Sequence, residues 1–132
     1  MDIDKGNIMD DYRQWSHKEV WEKVRAFARH VQATGQPIDT LTRGERNTII
    51  QVTPTKIIRD SEGATSGTNQ VTRSNVLDVW DALMQDGVSG DEAVAVPYFT
   101  YALMKAAFPD LIKRIGTGSQ IALKRRSESD PA

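Results

Sequence analysis

Histidine is the first residue type to examine for chemistry, and the chain has two, His17 and His30. Thirteen residues at about 100° each set them roughly 140° apart around one helix, so they share no metal without ligands from elsewhere. No His-Glu-x-x-His run is present. There is no cysteine, which excludes thiol nucleophiles, Cys-type zinc sites, iron–sulfur clusters and disulfide scaffolds. Ser66 lies in Gly63-Ala64-Thr65-Ser66-Gly67, which is not the Gly-x-Ser-x-Gly spacing of a nucleophile elbow. Gly116-Thr117-Gly118-Ser119 is too short for a dinucleotide fingerprint and lacks its third glycine. Asp10 and Asp11 are adjacent carboxylates in an expected tail. One large nuclease class holds its metal with an acidic residue two positions before a lysine, and no Asp or Glu here has that spacing. His-Asn-His nucleases need histidines near strands, which this chain does not offer. The expectation is a protein that is not an enzyme and uses no cofactor and no metal.

Basic and neutral hydrogen-bonding residues give the stronger pattern. Arg43 and Arg46 precede a β-branched stretch, Lys56 and Arg59 lie in its second half, and Arg73 stands where a helix begins, close to Asn69, Gln70 and Ser74. Cations hold phosphates, amides and hydroxyls reach phosphates or base edges, and a helix start adds free N–H groups. Lys105, Lys113, Arg114, Lys124, Arg125 and Arg126 follow further on. This pattern points to duplex DNA. Single strands are disfavoured, because the nine aromatics fall at 12–27 and 80–108 and none lies in the strand region where bases would stack. Against DNA stand a pI near 6.1 and the stretch 76–104, with five acidic residues and no Lys or Arg. Solvated surface is the plainer account of the scattered charges. The alternative function is a protein-interaction factor, such as a phage or mobile-element antagonist, that binds a host protein through this acidic face or an apolar helix.

The whole chain, 132 residues with 17 basic and 18 acidic side chains, suits one domain with one core. No apolar run reaches the roughly 18 residues that span a bilayer, and the acidic start is unlike a secretory signal, so a cytoplasmic location is expected. One α+β domain is expected over 11–125, with disordered tails at 1–10 and 126–132. Ser16 and Glu19 form a capping box between Trp15 and Val20, a hydrophobic staple, and predict a helix over about 17–34 that Gly35 and Pro37 end. Thr48–Thr53 and Lys56–Arg59 around Pro54-Thr55 read as a β-hairpin or as one strand bent at Pro54. Residues 61–70 read as a loop, with Val71 and Thr72 a short strand. Thr72 or Ser74 caps a second helix with Val76, Val79, Trp80 and Leu83 on one face and Gly87 at its end. Its Asp78 and Asp81 should face away from DNA. Tyr98–Phe108, after Pro97, is apolar nearly all round and predicts a third helix with more apolar surface than a small fold covers. A homodimer through Tyr98, Tyr101 and Phe108 is therefore expected. Pro109 ends this helix, Asp110–Ile115 read as a further short turn, and Ser119–Lys124 as a third strand. The architecture is then an N-terminal helix, a small antiparallel sheet and a C-terminal helix pair.

Arg43-Gly44-x-x-Asn47-x-Ile49-x-x-Val52, then Ile57-Ile58, a Ser/Thr/Gly loop, Val71-Thr72-Arg73-Ser74, Val76-x-x-Val79-Trp80-x-x-Leu83 and Gly87 resembles small α+β modules that accompany restriction-type endonucleases. The likeness covers residues 43–87, about a third of the chain. It carries over no catalytic residue. What it implies is DNA recognition in a restriction or defence setting rather than cleavage.

Overall fold

The structure, a computed structural model, describes residues 12–41, 44–61, 69–89, 97–118 and 120–124. The expected tails, most of the 61–70 loop and Arg43 lie outside them. Helix α1 is His17–Thr34. Its start is the capping box read from the sequence: the Ser16 hydroxyl accepts the Glu19 N–H at 3.1 Å, and the Glu19 carboxylate accepts the Ser16 N–H at 3.0 Å. It ends at Gly35, whose φ of 74° is the left-handed conformation that favours glycine.

Four short strands follow: β1 Ile38–Asp39, β2 Arg46–Val52, β3 Lys56–Ser61 and β4 Asn69–Thr72. They pair antiparallel in chain order and curve as a half-barrel. Between β2 and β3 the chain makes a hairpin rather than a bent strand. Pro54 stands second in the turn Thr53–Lys56, where its fixed φ suits a turn, and the Thr53 N–H donates to the Lys56 carbonyl at 2.8 Å. Alternation puts Asn47, Ile49, Ile57, Arg59 and Val71 on the buried face, against α1 and the later helices. A bulge between Ile49 and Gln51 leaves Ile50 out of register, and its carbonyl accepts from the Gln32 side chain of α1 at 2.9 Å.

Helix α2 is Arg73–Asp86, and it is Thr72 rather than Ser74 that caps it, in a second reciprocal box with Asn75. Helix α3 is Phe99–Ala107. The antiparallel content exceeds the two or three strands expected. β5 Val88–Ser89, β6 Ile112–Arg114 and β7 Ile121–Leu123 form a second sheet in the order β5-β7-β6. Of the stretch Asp110–Ile115 expected as a turn, Asp110 and Leu111 do turn and Ile112–Arg114 form β6, because the bend at Pro109-Asp110 lays Ile112 antiparallel to Leu123. An aromatic knot joins the helices: Trp15 stacks on Trp80 at 5.7 Å, with the Phe108 ring 5.5 Å and the Tyr12 ring 6.2 Å from Trp80. No helix among the described residues is long and apolar enough to cross a membrane.

Two of the expected interface residues belong to this interior. Tyr101 is 1% exposed and Phe108 6%, so neither presents a surface to a second copy. Most of the apolar circumference of α3 is covered by α1, α2, β1 and β6 of its own chain. Tyr98, one residue before the helix, is 70% exposed.

Candidate nucleic-acid interface

The tip of the β2–β3 hairpin is held from two sides by hydrogen bonds to its backbone carbonyls. From α1, the Trp21 indole N–H donates to the Pro54 carbonyl at 2.8 Å, and Arg25 Nε donates to the Thr53 carbonyl at 3.0 Å. Positions 21 and 25 are one helical turn apart and share a face, which is why one helix can hold two consecutive carbonyls. Arg25 is itself buried, and a two-pronged bond to Glu22 at 2.8 and 2.9 Å orients it. Within the turn the Thr53 hydroxyl accepts from the Lys56 N–H at 3.0 Å. From the other side the Arg73 N–H donates to the Thr55 carbonyl at 2.9 Å. Lys56 opposes Thr72 in the β3–β4 ladder, so the hairpin tip and the start of α2 form one unit.

This unit gathers Lys56, Gln70, Arg73 and Ser74. Gln70, Arg73 and Ser74 are exposed and Lys56 is half-buried. Neither Lys56 nor Arg73 forms an ion pair with any described residue. Asp81, from the acidic stretch, is held 2.8 Å from His17 Nε2, which directs one carboxylate to the start of α1; Asp78 is exposed. Arg46 is exposed at the far end of β2, opposite Asp39 of β1. It shares the outer face of the sheet by alternation but stands well away from Lys56.

Arg59 is a correction to the sequence-derived set. Position 59 alternates onto the same side as Ile57, and its side chain is only 9% exposed. One guanidinium nitrogen donates to the Asn47 side-chain oxygen, and the guanidinium carbon stands 4.7 Å from the centre of the Phe99 ring. Burial lowers its pKa from the ordinary arginine value, and the charge of Glu45 opposes that shift in part. Nε is buried without a partner among the described residues. Such a residue holds the fold and does not meet a phosphate. Asn69, directly opposite Arg59 in the ladder, is half-buried on that same side, so of the two amides only Gln70 belongs to the outer surface.

Two basic residues of the C-terminal stretch make their contacts elsewhere, and Arg125 and Arg126 lie outside the described residues. Arg114 donates to the carbonyls of Thr117 and Gly118 and closes the turn between β6 and β7. Lys124 donates to the Pro109 carbonyl at 2.7 Å. What the sequence reading missed is the clamp of Trp21 and Arg25. Both look like ordinary members of an amphipathic helix, and only the Trp indole and an Arg on the apolar side hinted at polar work there. Comparison with protein-family models, with curated proteins and with solved structures finds no match for this chain.

Proposed function

We propose that this protein is a non-enzymatic DNA-recognition module, a regulator or an accessory part of a restriction or defence system, which meets duplex DNA with the β2–β3 hairpin tip and the start of α2. One observation carries the reading: Lys56 and Arg73, without ion pairs among the described residues, are joined through the Thr55–Arg73 bond beside the exposed Gln70 and Ser74. Unpaired cations on a rigid platform hold phosphates, and neutral donors and acceptors next to them read bases or fix register. The two clamps from α1 preorganise the surface, which lowers the ordering cost of binding. The likeness of residues 43–87 to modules that accompany restriction-type endonucleases agrees with recognition in place of cleavage.

The test is fluorescence anisotropy of a labelled short duplex at two salt concentrations. The native protein is expected to bind with a steep loss of affinity as salt rises. Replacing Lys56 and Arg73 together by alanine should weaken all sequences about equally and flatten the salt slope by about two, near one for each lost phosphate contact. An unchanged slope rejects this surface. No binding by the native protein at low salt rejects the DNA reading and leaves the protein-interaction alternative.

A further inference from the structure

A cleft of about 440 Å³ lies between the C-terminal half of α1, strand β1 and the last turns of α3, within the roughly 300 to 1,000 Å³ range of ligand sites. Val31, Ile38 and Ala102, all buried, are among its apolar lining, and Phe27 adds a half-buried ring. Lys105 of α3 also lines it and forms no ion pair with a described residue, while Asp39 of β1, opposite the exposed Arg46, borders the cleft with its backbone and alternates its side chain onto the outer face of the sheet.

The backbone adds direction. β1 is an edge strand whose only sheet neighbour among the described residues is β2. The Thr40 N–H donates to the Glu45 carbonyl at 3.0 Å, just beyond the Asp39–Arg46 pair. Ladder bonds alternate along an antiparallel pair, so the Asp39 N–H and C=O turn away from β2 to the open edge. That edge carries one donor and one acceptor beside an apolar cleft, with a cation on the opposite wall.

We infer that this cleft binds an extended peptide segment of a partner protein, one that pairs with the Asp39 backbone, sets an apolar side chain in the cleft and brings an acidic side chain to Lys105. Pairing with the Asp39 N–H and C=O anchors the segment beside the cleft, the cleft selects the apolar side chain, and Lys105 selects its charge. Pro37, which also lines the cleft, has no N–H, so pairing is confined to a short stretch and a long partner strand is not accommodated. The site lies at β1, whereas β4, which leads into Arg73, is the opposite edge of the sheet. A peptide and DNA would therefore occupy separate surfaces.

The test is a titration of the ¹⁵N-labelled full chain with two pools of acetylated, amidated pentapeptides that have a central leucine and, at the first and fifth positions, on the leucine's side of an extended chain, glutamate in one pool and lysine in the other. The glutamate pool is expected to shift the Asp39, Ala102 and Lys105 amides saturably. Lys105→Glu should weaken that pool by about tenfold, as expected for loss of a charge-assisted bond, and turn the preference to the lysine pool. Ala106→Leu, which fills the cleft from its half-buried wall, should block both pools while the spectrum stays dispersed. No saturable shift at millimolar peptide, shifts centred elsewhere, or a glutamate-pool response indifferent to Lys105→Glu would overturn the proposal. Duplex binding by Lys105→Glu should match the native protein, which separates this site from the DNA reading.

Discussion

Lys56 and Arg59 stand three residues apart on β3 and meet opposite environments. On the helix-facing side, Arg59 is enclosed by Phe99 and Asn47, with its charge desolvated and no carboxylate within ion-pair distance among the described residues. On the outer side, Lys56 keeps contact with water beside Gln70 and the start of α2. A strand of period two separates an odd from an even position completely, so side-chain type says little about role until the register is known. One face spends its cation on the fold, and the other leaves its cation available to a ligand.

The largest test of this contrast removes the acceptor of the buried guanidinium. Asn47→Ala leaves Arg59 without its side-chain bond and also removes the donors to the Ile38 carbonyl at 3.2 Å and the Glu45 carbonyl at 2.7 Å. A loss of about 3 kcal/mol is expected in urea unfolding. In an Arg59→Met background the same change should cost only about 1 to 2 kcal/mol, since no buried charge is then stranded. Equal costs in both backgrounds would mean that Arg59 does not depend on Asn47. Arg59→Met alone should leave duplex affinity and its salt slope untouched.

Next in size is the junction that presents Arg73. Thr72→Ala removes the cap of α2 and should lower stability by about 1 kcal/mol, while Thr72→Ser restores most of it. If duplex contact runs through this helix start, affinity at low salt falls with the alanine change and returns with serine. The smallest expected effect on stability is on the outer face: Lys56→Ala with Arg73→Ala should shift unfolding by no more than about 0.5 kcal/mol, because neither side chain has an ion pair to lose among the described residues. Gln70→Ala should be as mild for the fold. If Gln70 reads a base edge, competition among duplexes of different sequence changes by about 1 to 3 kcal/mol at one position. Asn69→Ala, on the other side of β4, should not alter that preference.

The features legible in the amino-acid order are those that neighbours along the chain settle between themselves. Ser16 and Glu19 close a reciprocal cap within one turn, Gly35 and Gly87 take the left-handed conformation at helix ends, and Pro54 suits the second place of a hairpin turn; each works inside a few residues. They mark α1 and α2 from sequence alone, whereas around Pro54 they leave a hairpin and one bent strand both open until the β2–β3 pairing is seen. Of the second sheet, only Ile121–Leu123 falls inside a stretch, Ser119–Lys124, that reads as a strand. Val88–Ser89 and Ile112–Arg114 are two and three residues long, too short to show a period, and become strands only when the helices bring them together. Tertiary packing likewise decided the candidate sites. Whether Arg59 met solvent depended on the parity of the β3 register, and whether Tyr101 and Phe108 formed an interface depended on how much of α3 its own chain covered. The clamp of Trp21 and Arg25 needed the hairpin tip to fold back on α1, across the separation from position 21 to 54. Backbone carbonyls carry no residue-specific signal, so a contact made to them from a distant helix is written nowhere in the composition and arises only from the fold.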